Sequence, residues 1–300
     1  MMGGKLARPC RMVTHNWSNL FRDLVASVAA SALQQSSYTL VAVLLDQDVA
    51  ALEHMLDPSD LETSYWVCAF AVNQHCSICA ENAQHTRDPV TGKTHPLCDC
   101  GCPKHLNHSP PLRSDGKSVL CEMNKFDDVM AYLSATDGDF AQVIAVDRKF
   151  DLFSRAWCVS EIAMAHRMGM PQHVCLVSQK ALARARARLE DLDVSHMEAA
   201  RPEDVQEILS RIEDVAAFNR RLREMLLGRH GLLRRWGSFD MVGQASEVAR
   251  VALLVAAYTR LCQRRSYFCM LEDMEDIGSG FEDAESASES DSIASSRTSN

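Results

Sequence analysis

The sequence predicts an α/β protein of the flavodoxin-like type: a parallel sheet with helices on both faces. Three observations predict it. Short, nearly continuous apolar runs, "SYWVCAFAVNQH" (64–75) and "FAQVIAVD" (140–147), suit strands covered on both sides. Between such runs lie segments whose apolar residues recur at helical spacing. The two kinds alternate, as in βαβ units with right-handed crossovers.

The elements follow in order. "RMVTHNW" (11–17) is a short apolar strand ending in polar residues. "SNLFRDLVASVAASALQQ" (18–35) is an amphipathic helix, with Leu20, Phe21, Leu24, Val25 and Val28 as its stripe and Ser18 as N-cap. A second helix is predicted over 46–57, then the strand within 64–75. Residues 76–121, rich in Cys, His, Pro, Gly and Asn, break the pattern. It resumes with a helix (123–135), the strand 140–147, a helix (154–168), a strand (173–178) and a helix (179–192). "DVSHMEA" (193–199) reads as an edge strand. Pro202 stands in the first turn of a helix over 201–212, and further helices are predicted over 215–228 and 243–262. The organisation is thus an α/β domain (10–200) carrying a Cys/His-rich insert (75–121), a helical extension (201–271), and an acidic, Ser-rich tail (272–300) expected to be disordered.

Composition sets bounds. With 300 residues, 47% of them apolar, the chain buries a substantial core. No run of about 18 apolar residues occurs, so no membrane span is expected; the longest candidate, "VARVALLVAAY" (248–258), contains Arg250. The N-terminal "MMGGKLARPCRMV" lacks the apolar core of a secretory signal. A cytoplasmic protein is expected, its 12 cysteines reduced or metal-bound. The net charge of −9 is concentrated in the tail, where nine acids face only Arg297, which leaves residues 1–271 at about −1. Nucleic acid is not an expected partner, since a basic face is missing. Ser279, Ser286 and Ser288 each precede an acid by three residues, a pattern that suits acidophilic kinases.

One acid stands out. In "FSRAWCVSEIAMAH" (153–166), Glu161 shares a helical face with Trp157, Ala165 and Met168, the face that should be buried. Doubly wound sheets bind ligands beyond the carboxyl ends of their strands, where strand order reverses. For the order 2-1-3-4-5 that point lies between the strand ending at His15-Asn16-Trp17 and the strand ending at Asp147, whose following helix carries Glu161. His15, Asn16 and Trp17 are candidate ligand contacts by position; His15 is equally compatible with a core hydrogen bond.

"SRAWCVSEIA" resembles the Ser-x-Trp-Cys-x-x-Glu helix of TIR (Toll/interleukin-1 receptor-like) domains, with "QVIAVD" similar to the strand before it and "VTHNWSNLFRDLVASV" similar to the first strand and helix. The combined pattern also resembles TIR-like proteins of unicellular algae. The likeness covers about residues 11–180, interrupted by the insert. It implies that Glu161 is the catalytic residue of an NAD⁺ nucleosidase releasing nicotinamide, with Trp157 as core packing or a wall of the site, and with self-association. A carboxylate suits that chemistry by offsetting positive charge at the ribose. The family also contains pure assembly modules. The competing expectation is therefore a signalling or scaffold module with protein partners, in which Glu161 caps a loop or pairs with Arg155 or Arg167.

The insert holds Cys76, Cys79, Cys98, Cys100, Cys102 and Cys121, with His75, His85, His95, His105 and His108. Cys76-x-x-Cys79 is a half-site for tetrahedral zinc, and Cys98-x-Cys100-x-Cys102 with His105 or His108 could complete it. A long loop without a core gains order from such a site, so the zinc is read as structural; a reduced loop is the alternative. In "ARARARL" (183–189), Arg184, Arg186 and Arg188 spread around a helix, which predicts a solvated face rather than a phosphate-binding stripe.

Overall fold

The computed structural model describes residues 8–237, except 78, 80–84, 86, 89, 124, 200 and 201, and Thr259. The predicted helix over 243–262 and the acidic tail lie outside these residues, apart from Thr259.

Four parallel strands form the sheet: β1 (Arg11–His15), β2 (Tyr65–Val67), β3 (Ala141–Ala145) and β4 (Gln172–Cys175), in the order β2-β1-β3-β4. This is the flavodoxin-like order, with reversal between β1 and β3. The register sets Val13 beside both Val67 and Val143, and Gln142 beside Gln172. Alternation along β1 and β3 divides the core into two layers. Met12 packs with Phe126 and Met130 of α6 (Phe126–Thr136) and Ala165 of α7 (Ala156–Arg167). On the other face lies α1 (Phe21–Ala32), whose Ser31 hydroxyl is 2.9 Å from Nδ1 of His173. Ile144, fully buried, joins the cluster that also contains Ile162 of α7 and Leu182 and Leu189 of α8 (Gln179–Glu190).

Several predicted elements are modified. The cap of α1 is Leu20, and no side chain bonds there; Ser18 instead donates its amide to Asn16 Oδ1. The predicted second helix (46–57) is α3 (Val49–Met55), which starts at Asp48, whose carboxylate caps Ala51; a helix not among those predicted, α2 (Thr39–Gln47), precedes it. A further turn, α4 (Pro58–Leu61), carries a capping box from Asp57 and Asp60. The strand expected within 64–75 stops at Val67, where the chain coils into α5 (Cys68–Ala71) and leaves Phe70 exposed. Edge strands are short, and apolar runs do not distinguish strand from helix.

Residues 193–199 form a 3₁₀ turn, Val194–His196, rather than an edge strand. Asp193 explains this: its carboxylate accepts the Ser195 amide and the Asn219 side-chain amide, and so favours a turn. Only Glu198 bridges, to the start of α7. Beyond it, α9 (Pro202–Ser210), α10 (Val215–Leu227) and α11 (Arg234–Gly237) follow. Leu222, Leu226 and Trp236 close the layer over α8. Among the described residues no helix is long and apolar enough to cross a membrane.

Candidate functional site

Two places carry chemistry. The first is the buried end of α7. Its core face presents Cys158, Glu161, Ile162 and Ala165 to the sheet. Glu161 is only 7% exposed. Its Oε2 accepts the Thr14 hydroxyl at 2.5 Å. Thr14 in turn accepts the Gln142 amide at 2.8 Å, and Gln142 Oε1 accepts Gln172 Nε2 at 2.7 Å. The same amide bonds the Ile162 carbonyl at 3.0 Å. A polar chain therefore runs from α7 across β1, β3 and β4.

Burial pushes the Glu161 carboxyl up to about 8, against the opposing pull of the Thr14 hydroxyl; Asp127 adds a small push in the same direction as burial. The neutral acid is therefore the favoured form at pH 7. Among the described residues no cation pairs with Glu161; Arg155 lies 3.7 Å from Glu198 instead.

His15 and Asn16 are buried at the end of β1, and Trp17 is 44% exposed. Burial lowers the His15 pKa against a smaller opposing pull from the Val13 backbone, and its Nδ1 has no side-chain hydrogen-bond partner among the described residues. The Cys158 thiol donates to the His15 carbonyl at 3.3 Å. Trp17 Nε1 donates to the Cys68 sulfur at 3.1 Å, and burial pushes that thiol up to about 12. Trp157 has its partners elsewhere: its ring meets Phe126 edge-on at 4.9 Å, and Nε1 bonds Asp204. It ties α7 to α6 and α9.

Two cavities flank this region. One, of about 150 Å³, lies between α7, α9 and α10 and is lined by Val159, Met164, Ile208 and Phe218 among others. The other, of about 410 Å³, lies between α8 and the loop after β3. Neither is lined by Glu161, His15, Asn16 or Trp17.

The second place is the insert. A 3₁₀ turn, Gln74–Cys76, is capped by Asn73, which accepts the His75 amide. It brings His75 and Cys79 to one side of the chain. The Cys98 amide donates to the Cys79 carbonyl at 3.3 Å, which lays the second half of the insert against the first. Gly101 then turns the chain with φ of 65°, a conformation open to glycine. The result is a group of four, His75, Cys79, Cys98 and Cys100, whose ligand atoms all lie within 4.8 Å of one another. Cys79 and Cys100 sulfurs are 3.5 Å apart, and Cys98 Sγ is 3.4 Å from His75 Nδ1. The Cys102 amide, pointing at the Cys100 sulfur, is the main cause that lowers that thiol to about 6. Lys104 Nζ is 3.0 Å from the Cys79 sulfur.

This cluster could hold a metal ion. Of the ligands expected from sequence, it contains Cys79, Cys98 and Cys100. Cys76 and Cys102 stand beside it: the Cys76 sulfur accepts the Asn73 amide, and the Cys102 backbone serves Cys100. The His105 amide bonds the Cys76 carbonyl, and His108 is exposed. Cys121 is 1% exposed and bonds Asn107, well into the protein. His75 takes the place given to Cys76. The signal for it was present, a His four residues before Cys79, but the Cys-x-x-Cys spacing drew attention to the neighbouring thiol. Comparison of the chain with family models, with curated proteins and with solved structures finds no match.

Proposed function

We propose that the chain is a TIR-like protein-interaction module whose insert is folded by one structural zinc ion, held by His75, Cys79, Cys98 and Cys100. The four converging ligand atoms support the metal part of this reading. Three thiolates and one imidazole are a donor set that zinc prefers, and four protein ligands leave no position for a reactive water. The enclosed, neutral Glu161 supports a structural role for α7, since its acceptor is already engaged by Thr14. The test is metal content. Purified protein should carry one zinc per chain, and Cys79→Ser with Cys98→Ser should lose it. A zinc-free wild type that keeps its native hydrogen-exchange protection over 75–105 would end the proposal.

A second reading keeps NAD⁺ as substrate. It is favoured by the place of Glu161: buried, without a cationic partner among the described residues, beside the carboxyl end of β1. Ionised, it would offset positive charge growing on the ribose as nicotinamide leaves. Release should then rise with pH through about 8 and vanish in Glu161→Gln. Nicotinamide release assayed with concentrated protein decides: equal silence from wild type and variant removes the nucleosidase.

A further inference from the structure

The larger cavity has an unusual lining. Arg148 and Lys149 come from the loop after β3, and Arg184 and Arg188 from α8, one turn apart. Only one carboxylate, Asp151, lines it with them. Two of the four cations have carboxylate partners, Arg148 in Asp23 and Arg188 in Asp151, which leaves a surplus of two positive charges around one open space. The fold holds them there all the same.

The loop is rigid by construction. Asp147 is buried, and its carboxylate accepts the amides of Lys149 at 3.0 Å, Asp151 at 3.1 Å and Leu152 at 2.7 Å. Phe150 adopts φ of 61°, a left-handed conformation that a non-glycine residue rarely takes. That turn sends the Phe150 ring into the core, stacked on Phe153 at 6.3 Å, and leaves Arg148 and Lys149 exposed. Arg148 is aimed by Asp23, a fully buried acid whose Oδ2 accepts its Nε at 2.6 Å. Arg188 is aimed by Asp151 at 3.2 Å and by the Lys149 carbonyl. Lys149 and Arg184 make no ion pair among the described residues, so their charge is available to a ligand. The small side chains of Ala181 and Ala185 leave the space open. Arg186, by contrast, projects from the other side of α8 and pairs with Glu190.

We infer that this cavity binds a small molecule carrying two phosphoryl groups, with Lys149 and Arg184 as its anion contacts, while Arg148 and Arg188, held by Asp23 and Asp151, flank it with positive charge. Guanidinium groups match phosphate oxygens in pairs, and the site lies beyond the carboxyl end of a central parallel strand, where such sheets receive ligands. About 410 Å³ accommodates a diphosphate with a small organic group. The site shares no residue with either reading of Glu161 or with the insert, so it stands or falls separately.

The experiment is calorimetric titration of the full chain with inorganic pyrophosphate at low salt. One site should be filled, with a dissociation constant below about 1 mM. Lys149→Glu and Arg184→Glu should each weaken binding by about tenfold or more, whereas Arg186→Glu, which changes net charge equally, should stay within about twofold. All three positions are exposed, and unchanged thermal melting of each variant shows that the fold is kept. Absence of binding to the wild type, or an equal loss in Arg186→Glu, overturns the site. So does retention on vesicles containing a phosphorylated inositol lipid without any binding of free pyrophosphate.

Discussion

Glu161 shows what one side chain does to the pH response of the protein. Its carboxyl has an ordinary value of 4.5 and a folded value of about 8. Between these limits the folded state keeps a proton that the unfolded chain has released. The stabilising contribution is therefore complete below about 4.5, declines as pH rises, and is gone above about 8. Glu161→Gln holds the neutral shape at every pH and keeps an oxygen for Thr14. The wild type should lose melting temperature steadily from pH 6 to pH 9, and the variant should lose much less across the same range. A wild-type curve as flat as that of the variant would show that the carboxyl titrates normally. The inward face of Glu161 was legible in the sequence, because helical spacing alone puts it beside Ala165. Its partners were not. Thr14, Gln142 and Gln172 are 147, 19 and 11 positions away in the chain, and only strand pairing brings them together.

At the scale of elements, the insert and the sheet should respond differently to a chelator. Among its described residues the insert has few buried apolar side chains, and backbone bonds join its short segments around the group His75, Cys79, Cys98 and Cys100. The sheet rests on Met12, Val143, Ile144 and their helices. Stripping metal from the protein should speed hydrogen exchange at Cys79, Cys98 and His105 by about tenfold or more while leaving β1 and β3 protected. Uniform loss across both would mean that they unfold together. The alternation of strands and helices was legible, as were α7, α8 and α10 to within a few residues. The ends of elements were less so, and for identifiable reasons. Asp48 and Asp193 each use a short carboxylate as a cap: Asp48 starts α3 two residues inside the predicted helix, and Asp193 makes a 3₁₀ turn of the predicted edge strand. The apolar run after Val67 continues as helix because period alone does not separate a buried strand from a buried turn of helix.

For the whole molecule, the carboxyl edge of the sheet gathers groups that sequence reading places far apart. Arg184, Arg186 and Arg188 look dispersed on α8, yet two of them meet Arg148 and Lys149 across a cavity. No local pattern announces that meeting, because half of the cations come from a loop 36 residues earlier. The same edge holds His15, Asn16 and Trp17, which line neither of the two cavities.

The polar chain from Gln172 through Gln142 and Thr14 to Glu161 has one more consequence. Apolar strands such as those here are poor at telling one another apart, since Val, Ile and Ala fit many neighbours equally well. A slip by a single residue turns every side chain of a strand to the opposite layer. Gln142 would then lose both Thr14 and Gln172, and amides would be sealed in hydrocarbon with nothing to bond. The row of four thus works as a key cut across three strands: only the native alignment of β1, β3 and β4 lets it turn.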